Sequence, residues 1–378
     1  MDTRLSTGSQ LLDDLGVKRI INGRGYITAY GGSILPPEVV QAMNDAVNFY
    51  VDLHELNIAA GKQIARYTGA EAGLVVAGAG AGLLLQAAAC IAGSDPALID
   101  RLPSTRGLKN EIVLHKGHHT GYARCYRAAG GKVVSWGTGK DDTPARLEAA
   151  INDRTAAVAY VFHPFNHCPV SFKEAVRVTH RHKLPVIVDA AVMLPPVENL
   201  TRFIDEGADM VTFSGGKGLR APQSTGILCG RADLIEAARL NMSPYAGIGR
   251  PAKVCIEEIV GVIAALKRFV SMDHEAEWAA WLKKSQYIAK TVSGIPGLDV
   301  KIEETNPDRP GPQVVIYFKD NWSGPASQDV EDRLAARELS IRIGRGGVAD
   351  ELFVTPVTLE DGDERILAAA LKDELTRK

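Results

Sequence analysis

No stretch of this chain is long and apolar enough to span a bilayer, and the opening MDTRLSTGSQ lacks the apolar centre of a secretory leader. The five cysteines (Cys90, Cys125, Cys168, Cys229, Cys255) are scattered, odd in number and without a CxxC pair. That speaks against a disulfide frame and a thiolate zinc site, and for a reducing compartment, the cytoplasm. Charge of either sign is not in surplus: 43 basic residues against 45 acidic leave a net charge of −2. No bulk attraction to nucleic acid or to an anionic membrane follows. Internal repeats and low-complexity runs are also missing. Histidines at 115, 118, 119, 163 and 167 are too poorly accompanied by acidic partners to read as a metal site.

What is present is a soluble-type composition, 46% hydrophobic, over 378 residues, more than one hydrophobic core usually serves. Two domains are expected, 1–250 (an N-terminal arm and a large domain) and 251–378. From 71 to 240 the chain alternates β-branched runs with amphipathic helical patterns. Strands are predicted at 74–77, 111–114, 132–136, 156–162, 185–190, 210–213 and 224–229. Helices are predicted after the 78–82 turn and at 143–152, 172–182, 200–207 and 232–240; 94–110 reads as loop. Such alternation predicts an α/β fold with a mostly parallel sheet covered on both faces. Earlier, Pro36-Pro37-Glu38 opens a helix, and 53–67 reads as another. Beyond 251, two long helices (252–272, 274–292), strands near 298–302, 313–318, 341–343 and 352–355, and two further helices predict a smaller α+β domain.

Chemistry concentrates at strand ends. Val186-Ile187-Val188 is a buried-type run ending in Asp189, and Met210-Val211-Thr212-Phe213 runs into Ser214-Gly215-Gly216-Lys217. In a parallel sheet these ends share one rim, where ligands bind. A lysine beside a buried carboxylate suits pyridoxal 5′-phosphate (PLP), whose aldehyde needs an amine and whose ring nitrogen needs an anion. A strand-end cap and a solvated lysine have the same sequence appearance. Upstream, Ala77-Gly78-Ala79-Gly80-Ala81-Gly82 joins a strand to an apolar helix, as a phosphate-binding turn does. Tight helix–sheet packing is an equal use of such residues. The dinucleotide motif GxGxxG fits at Gly78 and Gly80 but has Leu83 at its third glycine, so a nicotinamide oxidoreductase stays a rival. His118 or His119 and Asn166 follow other strands and reach the same rim.

These segments, with Gly249-Arg250-Pro251-Ala252-Lys253 and Ala221-Pro222-Gln223-Ser224-Thr225-Gly226, resemble the fold-type I, PLP-dependent selenocysteine synthase (SelA-like) superfamily. The likeness spans about 17–370 and is closest to a short branch that includes D-glucosaminate-6-phosphate ammonia-lyases. The resemblance implies roles. Lys217 would hold the cofactor aldehyde and shuttle the α-proton, and Asp189 would pair with the ring nitrogen. The backbone of Ala79, Gly80 and Ala81, with the Ser214 hydroxyl, would hold the phosphate. His118 or His119 would stack on the ring, and Asn166 would approach its 3-oxygen. Arg250 would reach a neighbouring subunit's site, and Arg342 or Arg345 would clamp a substrate carboxylate, although a surface salt bridge is as good a reading of the arginines. A homodimer or larger homo-oligomer is implied. The expected reaction is α,β-elimination from a small amino acid or amino-sugar acid to a keto acid and ammonia, with racemisation as the alternative. The turn at 77–82 departs from relatives by having no hydroxyl. The tRNA-binding region of long selenocysteine synthases has no counterpart here, which sets tRNA-dependent selenium transfer aside.

Overall fold

The computed structural model describes residues 8–139, 142–163, 167–304, 311–346 and 350–377. Thirteen strands are present among them: β1 (Ile20–Asn22), β2 (Ala72–Val76), β3 (Glu111–His115), β4 (Lys132–Trp136), β5 (Thr155–Val161), β6 (Val186–Asp189), β7 (Met210–Ser214), β8 (Gly226–Gly230), β9 (Leu298–Glu303), β10 (Gln313–Phe318), β11 (Ser340–Arg342), β12 (Gly344–Arg345) and β13 (Glu351–Val354). They fall into two compact units, residues 33–272 and residues 1–32 with 273–378.

The unit of residues 33–272 holds a seven-stranded sheet in the order β2-β8-β7-β6-β5-β3-β4. Only β8 runs antiparallel to its neighbours β2 and β7; every other pair is parallel. Side chains alternate along each strand. Leu74, Val76, Ile187, Met210 and Leu228 join the helix Gly78–Ala92 in one core. Val75, Val186, Val188, Val211 and Phe213 join a second core on the opposite face. Burial on both faces explains the uninterrupted apolar runs in the sequence.

The helices Pro96–Arg101 and Ala123–Ala128 lie in stretches without a helical pattern. Both are six residues long, too short to display a period, and the first is capped by Asp95, which accepts the Ala97 N–H at 2.8 Å.

The division of the chain differs from the expected 1–250 and 251–378. The helix Ile256–Ser271 packs on the helices Pro37–Ala46 and Leu53–Thr68 through Ile259, Val262, Ala265 and Leu266, so it belongs with the large unit. The N-terminal arm belongs with the C-terminal segment, because β1 pairs in parallel with β11, Ile21 opposite Ile341. Gly23 continues that contact: a Cβ there would sit 2.7 Å from Leu367 Cδ1. Its own core gathers Ile21, Ile288, Val314, Ile316, Leu352 and Leu367 around the antiparallel sheet β12-β13-β10-β9. No helix among the described residues is long and apolar enough to cross a membrane.

Candidate active site

Register aligns the strand ends of the large sheet. Val76 pairs with Gly226 and Gly226 with Ser214; Thr212 pairs with Asp189 and Asp189 with Val161. The C-terminal ends of β2, β7, β6 and β5 therefore share one rim. Ile187 and Met210 face the helix Gly78–Ala92, so Asp189, Thr212 and Ser214, two or four residues on, face it as well. Contact confirms this for Thr212: a Cβ on Gly82 would sit 2.5 Å from Thr212 Cγ2. Only glycine lets the helix lie this close to the strand.

Asp189 is 7% exposed, and one of its oxygens accepts the Ala191 N–H at 3.0 Å. Burial raises its carboxyl above the usual range, against the opposing pull of that N–H and of Lys217. Lys217 is largely enclosed on the turn after β7. Burial lowers its ammonium below the usual lysine range, and the attraction of Asp189 only partly offsets this. The Lys217 Nζ makes no hydrogen bond or ion pair with any described residue. A half-buried amine without a hydrogen-bonding partner, within Coulombic range of a buried carboxylate, is costly to stability and suited to nucleophilic or proton-transfer chemistry.

The helix Gly78–Ala92 begins at this rim. Its cap residue, Ala77, supplies no side-chain hydrogen bond, so the first-turn amides are left without a capping side chain from that position. Gly78 has φ +77°, a conformation that places the turn at no steric cost only for glycine. Gly226 lies against it: a Cβ there would be 2.9 Å from the Gly78 carbonyl carbon and 3.1 Å from the Ala79 nitrogen. Ala79, Gly80 and Ala81 are half-buried, as is Ser214 at the end of β7. Anionic oxygen is the complement of uncapped helix amides. Together with the Asp189–Lys217 pair, this donor set fits a phosphorylated aldehyde with a basic ring nitrogen.

The two histidines after β3 lie in different surroundings. His118 is 2% exposed; its Nδ1 accepts the Val161 N–H at 3.4 Å, and its ring meets Tyr160 edge-on at 4.4 Å. Burial and neighbouring His115 push it down to about 3, so it is neutral at pH 7. His119 is exposed, its Nε2 2.8 Å from the Ser135 hydroxyl. Asn166 lies outside the described residues.

Arg250 is half-buried, and its guanidinium pairs with no described residue. Arg342 and Arg345 belong to the other unit. The guanidinium of Arg342 lies 5.8 Å from the Tyr30 ring centroid, with its Nε buried and unpaired. Arg345 is held at 3.1 Å by Glu331 on an exposed edge, a surface pair contributing about 0–1 kcal/mol.

Sequence reasoning gave no role to His115 and Asp142. His115 Nδ1 accepts the Gly117 N–H at 3.0 Å, so Nε2 carries the proton and donates to Asp142 Oδ2 at 2.9 Å. Asp142 also accepts the N–H groups of Thr138 and Gly139, each at 2.8 Å. These bonds tie the loop after β4 to the turn that carries His118 and His119. Nothing in the spacing of 115 and 142 signals the pair. Among the described residues no cluster of three metal-ligating side chains occurs.

Comparison with known proteins agrees with this geometry. The family model for L-seryl-tRNA selenium transferase (SelA) matches residues 20–284. A 5′-C-glycyluridine monooxygenase-decarboxylase from Streptomyces sp is 33% identical over 96% of this chain and 92% of its own. A D-glucosaminate-6-phosphate ammonia lyase from Salmonella typhimurium (strain 14028s / SGSC 2262) is 32% identical over 96% of this chain and 97% of its own. A solved D-glucosaminate-6-phosphate ammonia-lyase superposes with a TM-score of 0.85 at 31% identity, covering 97% of this chain and 98% of the other. A serine palmitoyltransferase variant from S. paucimobilis, solved with PLP bound, shares the fold at a TM-score of 0.60 and 13% identity, covering 97% of this chain and 95% of the other. The architecture is that of the fold-type I PLP enzymes, and the chain belongs to the L-seryl-tRNA selenium transferase (SelA) family.

Proposed function

We propose that the protein is a PLP-dependent lyase that converts a 2-amino-3-hydroxy sugar acid to a 2-keto-3-deoxy acid and ammonia. The observation that carries this is the buried Asp189 carboxylate with half-buried Lys217 in Coulombic range, beside a helix N-terminus without a side-chain cap on one sheet rim. Support for the substrate class comes from the relatives: glucosaminate and a glycyl nucleoside are both amino acids on a sugar skeleton.

Bound PLP supplies an aldehyde for the substrate amine and a ring that withdraws electrons from the α-carbon. Asp189 holds a proton on the ring nitrogen and so keeps the ring electron-poor. The amides of Ala79, Gly80 and Ala81 and the Ser214 hydroxyl hold the phosphate. Asn166 is assigned the 3-oxygen, and His118 or His119 the ring face, on the resemblance alone. Lys217, whose burial shifts its Nζ toward the neutral form, takes the α-proton and returns it during turnover. The β-hydroxyl leaves as water and one water is taken up as ammonia leaves, so the sum is amino acid to keto acid plus ammonium. Arg250, whose guanidinium has no described partner, is the candidate for a substrate anionic group, and Arg342 is assigned such a role on the resemblance alone. Arg345, occupied by Glu331, is the weaker candidate.

On this reading the protein assembles as a homodimer or larger homo-oligomer. Support comes from Val47, Phe49, Tyr50, Val51 and Ile58, all exposed within the stretch 47–58, Tyr50 fully so. Five free thiols support a cytoplasmic location. A net charge of −2 gives no support to a tRNA substrate.

The test is incubation of the PLP-loaded protein with 2-amino-2-deoxy sugar acids, with and without a 6-phosphate. Ammonia and a 2-keto acid are expected in equal amounts. Release of neither from any sugar acid sinks the proposal. A second reading, oxidative decarboxylation, is favoured by the 33% identity to a monooxygenase-decarboxylase and would show as oxygen uptake with carbon dioxide release.

A further inference from the structure

Apart from Cys90, the helix Gly78–Ala92 carries a single polar side chain, Gln86, and it is 0% exposed. Its Nε2 donates to the Val188 carbonyl at 3.0 Å and to the Met210 carbonyl at 3.5 Å. Val188 immediately precedes Asp189; Met210 opens the strand that ends at Ser214, three residues before Lys217. The Gln86 Oε1 is buried with no partner, and so is the Thr212 hydroxyl, directly opposite Asp189 in the sheet register. Methionine or leucine would fill this space without orphaning an oxygen. An amide here is therefore a cost to stability and calls for a reason other than packing.

The helix is located on β6 and β7 at two points one turn apart. Gly82 presses on Thr212, and Gln86 bonds to the two strands. Sliding the helix along the sheet would break the bonds and collide at Gly82. The first turn, whose amides face the rim, is thus held at a set spacing from the Asp189 carboxylate. A rigid ligand that spans both places needs that spacing.

We propose that Gln86 is a positioning residue that fixes the distance between the 78–82 amide turn and Asp189 so that one cofactor engages both. This rests on the PLP reading above.

The test compares wild type with Gln86→Met, similar in length and without a donor, and Gln86→Asn, which keeps the amide but is too short. Amide hydrogen exchange is followed in the cofactor-free protein over 78–84 and 186–191, together with the thermal midpoint and a PLP titration by absorbance. Both variants should exchange severalfold faster in those two segments alone. Gln86→Met should keep or raise the thermal midpoint, and PLP half-saturation should rise about tenfold. Unchanged exchange overturns the proposal. So does faster exchange throughout with a lower midpoint in both variants, which marks Gln86 as ordinary packing. Equal PLP affinity in wild type and variants likewise overturns it. If wild type binds no PLP while the two segments still loosen in the variants, the tie stands and only the cofactor reading fails.

Discussion

Lys217→Met separates catalytic need from structural need at the site's centre. Turnover should vanish, because the amine that moves the α-proton is gone. Stability of the cofactor-free protein should move the other way. In the wild type, burial holds the folded-state lysine below its usual value. Between the folded and the unfolded value the unfolded chain binds more protons, so wild-type stability rises with pH across that window, by about 1.4 kcal/mol per pH unit at most. Below the window the wild type carries the full cost of burying an ammonium with no hydrogen-bonding partner. Above the usual lysine value, about 10.4, the cost is gone. The methionine variant has no such term. Its advantage over wild type should be greatest at the low end and shrink as pH rises. The carboxyl of Asp189 has the opposite sign: raised by burial, it makes stability fall as pH rises above the usual carboxyl value, so it cannot mimic the lysine slope. Urea denaturation of both proteins between roughly pH 7 and 11 measures the difference. A difference that stays constant, or grows with pH, refutes the assignment of Lys217 as a buried amine disfavoured in its charged form.

Other outcomes follow from named contacts. Gly82→Ala drives a Cβ into Thr212 and should destabilise by about 1–3 kcal/mol and weaken PLP binding, read by denaturation and absorbance titration. Asp142→Asn should lower stability at pH 7. The Gly139 N–H and His115 hold this carboxyl below its usual range, so its contribution is present above about pH 4 and lost as pH falls further; the gap from wild type should close in acid. Phe49→Asp with Tyr50→Asp should convert a dimer to monomers by light scattering without loss of fold, since both side chains are exposed.

The placement of Asp189 and Ser214 at one rim is legible in the sequence because its cause is local. β-branched runs ending in Asp189 and in Ser214-Gly215-Gly216-Lys217 signal buried parallel strands and what they deliver, and the small residues at 78–82 signal the turn. Long-range partners were not legible. The pairing of β1 with β11 joins opposite ends of the chain, so the arm read as part of the large domain. Gln86 looks like a routine helix residue until Val188 and Met210 are placed beneath it. His115 and Asp142 meet only because β3 and β4 are neighbours in the sheet. The helix expected at 252–272 is present as Ile256–Ser271, and only its packing shows which unit it completes.

The central claim is that the Lys217 amine takes the cofactor aldehyde. Borohydride reduction of the PLP-loaded protein, followed by peptide mass analysis, tests it directly. Attachment of the aldehyde to Lys217 predicts one pyridoxyl phosphate label per chain on the peptide containing Lys217, absent in Lys217→Met. A label on another lysine, or none at saturating PLP, contradicts it.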